Sequence, residues 1–413
     1  MKKKIVIIGG GAAGFFCAIN LAELHVDADI LILEKTTKLL SKVKISGGGR
    51  CNVTHHEFSI PELIRNYPRG ERFLKKAFYR FSVADTIQWF EKRRVALKTE
   101  ADGRMFPQTD QSQTIVNCFL REAERFNIQI RMQADVQRLE VNLNATSRFL
   151  IRLKDGRTIP ADVVCIATGG YHKAVAGDML AQTGMNIIPP VPSLFTFNLP
   201  GHPIRSLQGI SMPHVSVRLA GSTIQAEGPL LITHWGLSGP AVLRASAWGA
   251  RLLAEKQWHF DIMVQWLPAY HEESLRALFQ QWRKDKSSQN ISGKNDLGIP
   301  SRLWQYFIET AGIGNSVRWS ELPVKEQNRL ISILCGQQFS VKGKTTFKEE
   351  FVTAGGIDLK QIHPESMMSR TIPGLFFAGE VIDVDGITGG FNFQNAWTTG
   401  YLAAEGIARS GFL

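Results

Sequence analysis

The chain begins with two short apolar runs that flank a segment with helical spacing. Residues 5–8 are a β-branched run, residues 15–24 repeat apolar side chains at helical intervals, and residues 30–33 form a second apolar run. Short continuous apolar runs are typical of buried strands, whereas apolar residues three and four apart are typical of one helix face. The pattern therefore predicts a strand–helix–strand unit.

The pattern continues with both kinds of element as far as a proline-rich stretch. It predicts helices over residues 72–96 and 112–127, and a β-meander over residues 129–168 that ends in the apolar strand 163–167. Five prolines then fall within residues 189–203, which marks a domain boundary.

Beyond that boundary the chain changes character and then returns to its first character. Short alternating runs over residues 204–266 predict a β-rich module, and residues 270–340 look helical and polar. The C-terminal segment predicts a strand at Leu375–Ala378, a glycine-rich loop and a helix from about residue 394. We therefore predict one domain from residues 1–192 and 351–413 and an inserted domain, residues 193–350, which is β-rich over 193–268 and mainly helical over 269–350.

Composition places few limits on this reading. The chain has 413 residues, of which 44% are hydrophobic and 21% charged, and no run approaches the 18 apolar residues of a membrane helix. The five cysteines are scattered, without a CxxC pair or a metal-like spacing. We expect a reduced, cytoplasmic protein with no metal site and no membrane span.

Positive charge is concentrated in the first quarter of the chain. The net charge is +11, and residues 35–104 hold sixteen Lys or Arg against seven Asp or Glu. A basic lobe of this kind suits a polyanion such as ribosomal RNA. The alternative is a solvated basic face whose charges also neutralise a cofactor diphosphate.

A glycine motif connects the first predicted strand to the first helix. Gly9–Gly14 reads Gly-Gly-Gly-Ala-Ala-Gly, a GxGxxG match, and Glu34 ends the second strand twenty residues after Gly14. In this motif the glycines permit a tight turn, close approach to a diphosphate and close helix packing, while the acid bonds a ribose hydroxyl. The predicted dinucleotide-binding residues here are Gly9, Gly11, Ala12, Ala13, Gly14, Glu34 and Lys35.

A second glycine loop follows the second strand and favours FAD over NAD. Residues 46–52 read Ser-Gly-Gly-Gly-Arg-Cys-Asn. Successive glycines expose backbone N–H groups, and Arg50 can pair with a phosphate. NAD domains seldom need such a loop, whereas FAD proteins often use one. The predicted FAD-binding residues here are Ser46, Gly48, Gly49, Arg50, Cys51 and Asn52.

Two later motifs extend the predicted FAD site. Small residues at Thr168, Gly169 and Gly170 end an apolar strand, where they let the chain pass close to a cofactor. Near the C-terminus a strand ends in Gly379-Glu380, and the run Gly389-Gly390-Phe391-Asn392 begins the last helix. N–H groups at that turn can face the flavin pyrimidine edge and stabilise negative charge on the reduced ring.

Together with Thr233–Pro240, which reads Thr-His-Trp-Gly-Leu-Ser-Gly-Pro, these motifs resemble the BaiN/YhiN-like (RdsA-like) family of bacterial FAD-dependent oxidoreductases. The resemblance spans nearly the whole chain. It implies an α/β fold: a Rossmann-like FAD-binding domain of the two-dinucleotide-binding type, interrupted by an inserted β-barrel plus helical module. It also implies reduction of conjugated C=C bonds, either in uridine of 23S ribosomal RNA or in steroid-like enones, and some family members carry an amine-oxidase label.

The residues leave the chemistry open between several candidates. Cys51, His234, Asp383 and Asp385 are candidates for the general acid or an anchoring donor, and Cys51 and His234 are the predicted catalytic residues. The alternatives are a packing role for Cys51 and a structural role for His234. Asp383 and Asp385 more simply cap a turn or bond the ribityl chain, and Trp235 and Phe391 can stack a planar substrate or belong to the core. No second GxGxxG is present, so NAD(P)H is expected to dock transiently as reductant.

Three functions remain from the sequence. The first is an FAD-dependent uridine reductase acting on ribosomal RNA, which requires the target base to be flipped out. The second is a small-molecule enone reductase or amine oxidase. The third is a flavin-binding redox sensor without enzymatic activity.

Overall fold

The chain folds into two compact units. The structure is a computed structural model, and it describes residues 2–142, 147–170, 179–180, 182–345 and 352–412. One unit contains Met1–Pro192 together with Lys348–Leu413, and the other contains Ser193–Phe347. The predicted domain boundary between residues 350 and 351 lies outside the described residues.

The strands and helices are numbered in chain order over the described residues. The strands are β1 (Lys3–Ile8), β2 (Ala28–Leu33), β3 (Thr54–His55), β4 (Leu97–Thr99), β5 (Arg104–Pro107), β6 (Gln129–Arg131), β7 (Val136–Val141), β8 (Phe149–Leu153), β9 (Thr158–Ala161), β10 (Val163–Ile166), β11 (Ile187–Pro192), β12 (Thr196–Asn198), β13 (Ser211–Leu219), β14 (Gln225–Ile232), β15 (Gly236–Ser238), β16 (His259–Gln265), β17 (Gln337–Lys342), β18 (Lys344–Thr345), β19 (Thr353–Ile357) and β20 (Leu375–Phe377). The helices are α1 (Ala12–Glu23), α2 (Ser41–Gly49), α3 (Ile60–Ile64), α4 (Glu71–Phe78), α5 (Val83–Lys92), α6 (Ser112–Arg125), α7 (Pro240–Glu255), α8 (Glu272–Asp285), α9 (Ser301–Ala311), α10 (Val324–Gly336) and α11 (Phe391–Ala408).

The first unit is built on a parallel sheet with strand order β20-β10-β1-β2-β6. Residues 5–8 of β1 and all of β10 are buried, as expected for strands covered on both faces. The C-terminal strand β20 pairs with β10 at the register Cys165 to Phe376. One Rossmann-like sheet is therefore assembled from both ends of the chain.

Helices α1 and α11 pack against each other in the first unit. Gly400 permits this, because a Cβ there would lie 2.9 Å from the Ala13 carbonyl oxygen and 3.2 Å from the Phe16 Cβ. A cluster of buried rings continues the contact, with Phe16 and Phe119 each stacked or tilted against Trp397. The N-terminal and C-terminal helices thus share one core.

Two sequence predictions in the first unit are wrong in detail. The single helix predicted over residues 72–96 is two helices, α4 and α5, separated at Ser82. The β-meander predicted over residues 129–168 is antiparallel only from β7 to β9, since β6 and β10 join the parallel sheet. Apolar spacing marks which residues are buried, but it does not identify the strand with which each segment pairs.

The second unit contains a seven-stranded antiparallel sheet with order β17-β16-β13-β14-β15-β12-β18. The strands at the two ends of this order, β17 and β18, are joined by the single residue Gly343. The Gly343 N–H donates to the Trp258 carbonyl and its carbonyl accepts from the Asn198 N–H. The sheet therefore curves until its ends meet, as in a barrel.

Helices cover this sheet in the second unit. Helix α7 packs on β13 and β14, and it lies within the stretch predicted to be β-rich, so the sequence missed it. Pro240 stands at its first turn, and its buried face is mostly small residues (Ala, Ser and Gly), which carry no strong periodic signal. Helices α8, α9 and α10 follow in the part predicted to be helical.

Candidate functional site

The three consensus glycines of the GxGxxG motif, Gly9, Gly11 and Gly14, do not have the same surroundings. At Gly9, where φ is +121°, a Cβ would lie 2.3 Å from the Ala167 carbonyl oxygen. At Gly14 a Cβ would lie 2.0 Å from the Gly9 carbonyl oxygen, so helix α1 packs directly on the turn. At Gly11 a Cβ would meet nothing within 4 Å. Gly9 and Gly14 serve the fold, whereas Gly11 leaves open space at the start of the helix.

Helix α1 begins at this open space with its first N–H groups uncapped. Gly11 is the N-cap residue and supplies no side-chain hydrogen bond, and the first turn, which includes Ala12 and Ala13, contains no acidic residue. The first N–H groups of a helix have no acceptor within the helix, and the helix dipole favours negative charge beside them. This end of α1 is suited to a phosphate or diphosphate.

Glu34 lies beside the same turn. Its carboxylate accepts a hydrogen bond from the Gly10 N–H at 3.0 Å and two from the N–H and hydroxyl of Thr36, both at 2.8 Å. These donors hold the carboxylate at the end of β2, where this fold presents an acid to a ribose hydroxyl. Lys35 is exposed, and its cofactor role stays a prediction.

The second glycine loop needs its glycines for backbone reasons. Gly47, Gly48 and Gly49 have φ values of +58°, +69° and +84°, and this left-handed region is costly for other residues. A Cβ at Gly48 or Gly49 would meet nothing within 4 Å, so both are open to an approaching group. Ser46, which begins the loop, donates its hydroxyl to the Val43 carbonyl at 3.0 Å.

The side chain of Arg50 is directed to protein carboxylates. It donates to Glu100 at 2.6 Å, lies 3.6 Å from Asp110, and its guanidinium sits 4.0 Å from the centre of the Phe106 ring. These contacts hold Arg50 on the neighbouring β4–β5 hairpin. Phosphate binding by Arg50 stays a prediction, and it would require exchanging these partners.

Cys51 is buried, and burial raises the pKa of its thiol to about 12. A thiol with that pKa stays protonated and unreactive at neutral pH. Its backbone is left-handed, with φ +62°. Burial and the raised pKa favour a packing role for Cys51. The catalytic role suggested by the sequence stays a prediction.

The C-terminal glycine turn is held by side chains from the N-terminal part of the chain. His55 bonds the Gly389 carbonyl through Nδ1 at 3.0 Å, and its ring stacks on Phe391 at 4.6 Å. The Tyr67 hydroxyl donates to the Phe391 carbonyl at 2.7 Å. With its amide oriented so that both ends are satisfied, Asn52 accepts from the Gly390 N–H at 3.0 Å. These contacts fix the turn at which α11 begins.

Helix α11 repeats the arrangement of α1. Its N-cap is Gly390 (φ +96°), which supplies no side-chain hydrogen bond, and no acid occupies the first turn. The Asn392 side chain bonds back to the N–H and carbonyl of Gly386 at 2.9 and 2.8 Å, so it braces the loop. Helices α1 and α11 thus both begin on glycine without a side-chain cap.

The segment at Gly379 and the middle of α11 lie beside the start of α1, since a Cβ at Gly400 would lie 2.9 Å from the Ala13 carbonyl oxygen. A Cβ at Gly379 would lie 2.8 Å from the Ala13 Cβ, and the Gly379 N–H donates to the Thr399 hydroxyl at 2.8 Å. Residues from both ends of the chain therefore meet at one place in the first unit, as a single shared cofactor would require.

Glu380 connects three parts of this site. It accepts from the Lys42 ammonium at 2.7 Å and from the Thr353 N–H at 2.8 Å. A Cβ at Gly170 would lie 2.7 Å from Glu380 Oε1, and the buried Thr353 hydroxyl has no hydrogen-bond partner among the described residues. An orphaned hydroxyl among predicted cofactor-binding residues fits a polar group that binds there. Thr168 and Gly169 lie just before Gly170, at the end of the strand that pairs with β20.

His234 lies in the second unit, on a tight turn that ends β14. The turn is closed by Thr233 N–H to Gly236 carbonyl at 2.8 Å, and Arg205 donates to the His234 carbonyl at 2.6 Å. His234 and Trp235 are exposed, with ring centres 4.5 Å apart. A catalytic role for His234 stays a prediction.

Sequence reasoning missed several residues that support the C-terminal turn. His55 and Tyr67 belong to no motif, and their contacts join positions more than 320 residues apart in the chain. Asp385, expected to cap a turn or bond the ribityl chain, is fully buried in an ion pair with Arg69. A buried arginine–carboxylate pair between distant segments leaves no local sequence signal.

The described residues contain no group of three or more His, Cys, Asp or Glu placed to hold a metal ion. Within the same residues, no helix has the length and apolar character needed to cross a bilayer.

Comparison with solved structures shows the fold. The chain covers 97% of a 3-ketosteroid-Δ4-(5α)-dehydrogenase from Rhodococcus jostii RHA1, with a TM-score of 0.52 and 14% identity over 97% of this chain. A flavocytochrome c3 fumarate reductase aligns with a TM-score of 0.51 and 16% identity, covering 99% of this chain and 78% of that one. At these identities the likeness supports the fold alone.

Comparison with characterised proteins and family models goes further. The chain is 30% identical to the ribosomal RNA dihydrouridine synthase of Escherichia coli K12, over 97% of each chain. It is 29% identical to the 3-dehydro-bile acid delta(4,6)-reductase of Clostridium scindens, over 98% of this chain and 99% of that one. The model of the HI0933-like protein Rossmann domain matches residues 3–406. The chain belongs to this HI0933-like Rossmann family, and it is an FAD-dependent oxidoreductase.

Proposed function

We propose that this enzyme holds one FAD across the starts of α1 and α11 and uses it to reduce a conjugated C=C bond, with uridine in 23S ribosomal RNA as the substrate. The observation that carries the cofactor site is the meeting of Gly379 with Ala13, which brings the C-terminal segment to the start of α1. Gly400 of α11 also lies against Ala13, so the start of α11 at Phe391 is nine residues, or about 14 Å along the helix, from that contact. The open faces at Gly11, Gly48 and Gly49 leave room for close approach. The residues that surround the start of α1 therefore fit FAD.

Each part of the site has a task in this proposal. The N–H groups at the start of α1 would bind the diphosphate, Glu34 would bond the adenosine ribose, and the Gly379–Glu380 segment would contact the ribityl chain. The N–H groups at the start of α11 would stabilise negative charge on the pyrimidine part of the ring. FAD supplies two-electron hydride chemistry when it is bound.

The overall reaction balances with one reductant and one proton. One NAD(P)H and one H⁺ are consumed for each C=C bond that becomes a CH–CH bond, and NAD(P)⁺ is released. The sequence has no second GxGxxG, so we infer that NAD(P)H docks transiently, in a reducing cytoplasm. Among the predicted acids, Cys51 is a poor proton donor because its pKa is about 12.

Charge and kinship favour RNA as the substrate. The similar Escherichia coli enzyme is named a ribosomal RNA dihydrouridine synthase. In this chain the cations Arg72, Lys75 and Lys76 are all exposed on α4, and phosphate contacts of that kind supply much of the affinity for nucleic acid. Uracil has a conjugated C5=C6 bond, which suits the chemistry.

A second candidate is a small-molecule enone reductase. The specific observation in its favour is the 29% identity with the bile acid reductase, which is nearly as high as the identity with the RNA enzyme. Both candidates share the C=C chemistry and differ in what binds beside the flavin.

Nucleoside mass spectrometry of 23S ribosomal RNA tests the proposal. A strain lacking this protein should lose dihydrouridine, wild-type protein should restore it, and the Gly11→Val variant should not. The proposal fails if dihydrouridine is unchanged in the deletion strain.

A flavin absorbance measurement then separates the remaining candidates. Bleaching of the flavin by NAD(P)H, followed by reoxidation with a steroid dienone and not with RNA, would support the second candidate. Failure of NAD(P)H to bleach it would favour an amine oxidase or a redox sensor.

A further inference from the structure

Helix α4 presents a basic stripe that ends in an exposed aromatic ring. Its members are Arg72, Lys75, Lys76 and Tyr79. They stand at positions i, i+3, i+4 and i+7, so they follow one face of the helix. All four are exposed, and Tyr79 keeps 66% of its surface accessible. The opposite face is buried through Leu74, Ala77 and Phe78.

The charges of this stripe are available to a partner. Within the described part of the chain, no ion pair or hydrogen bond engages the side chains of Arg72, Lys75 or Lys76. The neighbouring Arg80 differs, because it pairs with Glu405 at 2.6 Å. Over the seven-residue span from Arg72 to Tyr79 the stripe is about 10 Å long, at a rise of about 1.5 Å per residue.

The stripe is anchored to the turn that begins α11. A Cβ at Gly70, the N-cap of α4, would lie 2.5 Å from the Val384 side chain, so the helix starts directly against residues 384–385. The preceding residue, Arg69, pairs with the buried Asp385. Asp385 is four residues before Gly389, so the basic helix is fixed to the loop that leads to the proposed flavin ring.

We propose that this stripe binds the RNA strand next to the target uridine, with Tyr79 stacking on an unpaired base and the three cations bonding the flanking phosphates. The inference rests on the proposed RNA function and deepens it by naming the face of α4 on which the RNA binds, called the landing face below. Sequence-tolerant recognition of unpaired nucleotides combines cations that follow the backbone with an aromatic ring that stacks a base. A flipped uridine needs such a hold on its neighbours, because unstacking it costs a few kcal/mol.

An unpaired strand fits this face better than an anionic bilayer does. The apolar residues of α4 are on its buried side, so a membrane would gain little apolar contact from the stripe. A single exposed tyrosine among three cations offers one stacking surface and several phosphate contacts within 10 Å or so.

Fluorescence anisotropy with the flavin-loaded enzyme tests the inference. The probe is a labelled 12-nucleotide uridine-containing oligoribonucleotide, measured single-stranded and as a duplex. Tyr79→Ala should weaken binding of the single strand by roughly 5- to 100-fold, the range expected for one stacked base. Tyr79→Phe keeps the ring and should stay within about twofold of wild type.

The charge reversal Arg72→Glu, Lys75→Glu, Lys76→Glu tests the phosphate contacts. It should reduce the slope of log affinity against log salt by about 2, because each single-strand phosphate contact contributes about 0.7. The matched control reverses three exposed cations on helices of the second unit, Lys284, Lys325 and Arg329. The control should leave the slope nearly unchanged.

Several results would overturn the landing face. Wild-type enzyme that fails to bind the single strand at low salt contradicts it, as does equal binding by Tyr79→Ala and Tyr79→Phe. Equal effects of the two charge reversals, or binding of anionic vesicles in place of RNA, also contradict it. Flavin content and the thermal midpoint of each variant verify that it is folded.

The two proposals fail in different ways. If ribosomal RNA from the deletion strain regains dihydrouridine with wild-type protein and with the stripe variants alike, the landing face is wrong and the function stands. If the deletion strain never loses dihydrouridine, the proposed function is wrong, whatever the oligonucleotide measurements show.

Discussion

At the scale of single residues, the glycines of one motif are not equivalent. Gly14 lies against the Gly9 carbonyl, whereas Gly11 faces open space. The GxGxxG pattern identifies the three positions together, but only the backbone shows which of them touches protein and which is open to a ligand. Substitutions at the two positions therefore have different consequences.

We expect Gly11→Val to keep the fold and lose the flavin. Gly11 has an extended backbone (φ −98°) that valine adopts readily, and the added side chain occupies the approach of the diphosphate. Gly14→Val should destabilise the fold itself, by roughly 3 kcal/mol or more, because of the overlap with the Gly9 carbonyl. Absorbance of bound flavin and thermal unfolding separate the two effects.

Gly314→Val is the matched control for these variants. Gly314 is exposed in the second unit, and a Cβ there would make only an ordinary contact with the Val317 side chain at 3.6 Å. It should retain both flavin and stability. A Gly11→Val protein that purifies yellow with full occupancy contradicts the site.

Cys51 should be inert in the folded enzyme. Burial raises the pKa of its thiol to about 12, so the thiolate is scarce at pH 8. Cys335 is only partly buried and provides an internal comparison. Peptide mass spectrometry after iodoacetamide treatment at pH 8 should find Cys335 labelled first, and Cys51 only after unfolding. Rapid labelling of Cys51 in native enzyme would restore it as a catalytic candidate.

The same pKa shift gives a pH dependence with a definite sign. The pKa of Cys51 is higher in the folded state than its ordinary value of 9.0, so the folded state binds the proton more tightly. Its contribution to stability is fully present below about pH 9 and is lost as the pH rises toward 12. Urea unfolding should show this alkaline loss in wild type and a smaller loss in Cys51→Ala. Identical pH profiles would contradict the shift.

At the scale of secondary-structure elements, the sequence predicted one helix where the structure has a break between α4 and α5. This break has a local cause. The Asp85 carboxylate accepts from both the N–H and the hydroxyl of Ser82, at 2.7 and 2.8 Å. Ser82 is thereby fixed as the N-cap of α5. The signal Ser-x-x-Asp was present in the sequence, but apolar periodicity continued across it.

Asp85→Ala should lower the free energy of unfolding by about 1 kcal/mol, the usual worth of such a cap. Residues 59–62 offer a matched control with the same spacing, because Ser59 is the N-cap of α3 but makes no side-chain cap bond. There Glu62 bonds Arg65 instead, at 2.7 Å. Glu62→Ala should cost at most about 0.5 kcal/mol. Equal losses in urea unfolding would contradict the capping role of Asp85.

The Arg69–Asp385 pair should behave as a coupled buried unit. The side chains are 14% and 0% exposed, so removing one partner leaves a buried charge and should cost about 3–5 kcal/mol. The double variant should lose clearly less than the sum of Arg69→Ala and Asp385→Ala. The exposed pair Arg157 and Asp155 is the control, with coupling below about 1 kcal/mol. Additive losses in the buried pair would mean that it does not fix α4 to the C-terminal loop.

At this scale, the sequence predicts those elements whose folding depends on residues close together in the chain. The strand–helix–strand unit, helix α6 and the last helix depend on neighbours in the chain, and their patterns indicate them. Helix α7 was missed because its buried side is mostly small residues, which give a weak apolar pattern. His55 and Tyr67 at the α11 turn were missed because their partners are more than 320 residues away.

At the scale of the whole molecule, one sheet unites the two ends of the chain. Strand β20 completes the sheet begun by β1 and β2, and Gly379 lies against Ala13. The sequence predicts this meeting only through the shared cofactor, since no local pattern pairs residue 376 with residue 165. The basic stripe on α4 is attached to the loop that leads to α11, because Gly70 lies against Val384 and Arg69 pairs with Asp385.

A structure of the purified enzyme with its bound cofactor tests this account most directly. We predict one FAD per chain, with its diphosphate within hydrogen-bond distance of the N–H groups of Ala12–Gly14. The pyrimidine edge of its ring should lie at the start of α11, beside Phe391. An enzyme that binds FAD away from either helix start, or that retains no FAD, would contradict the account.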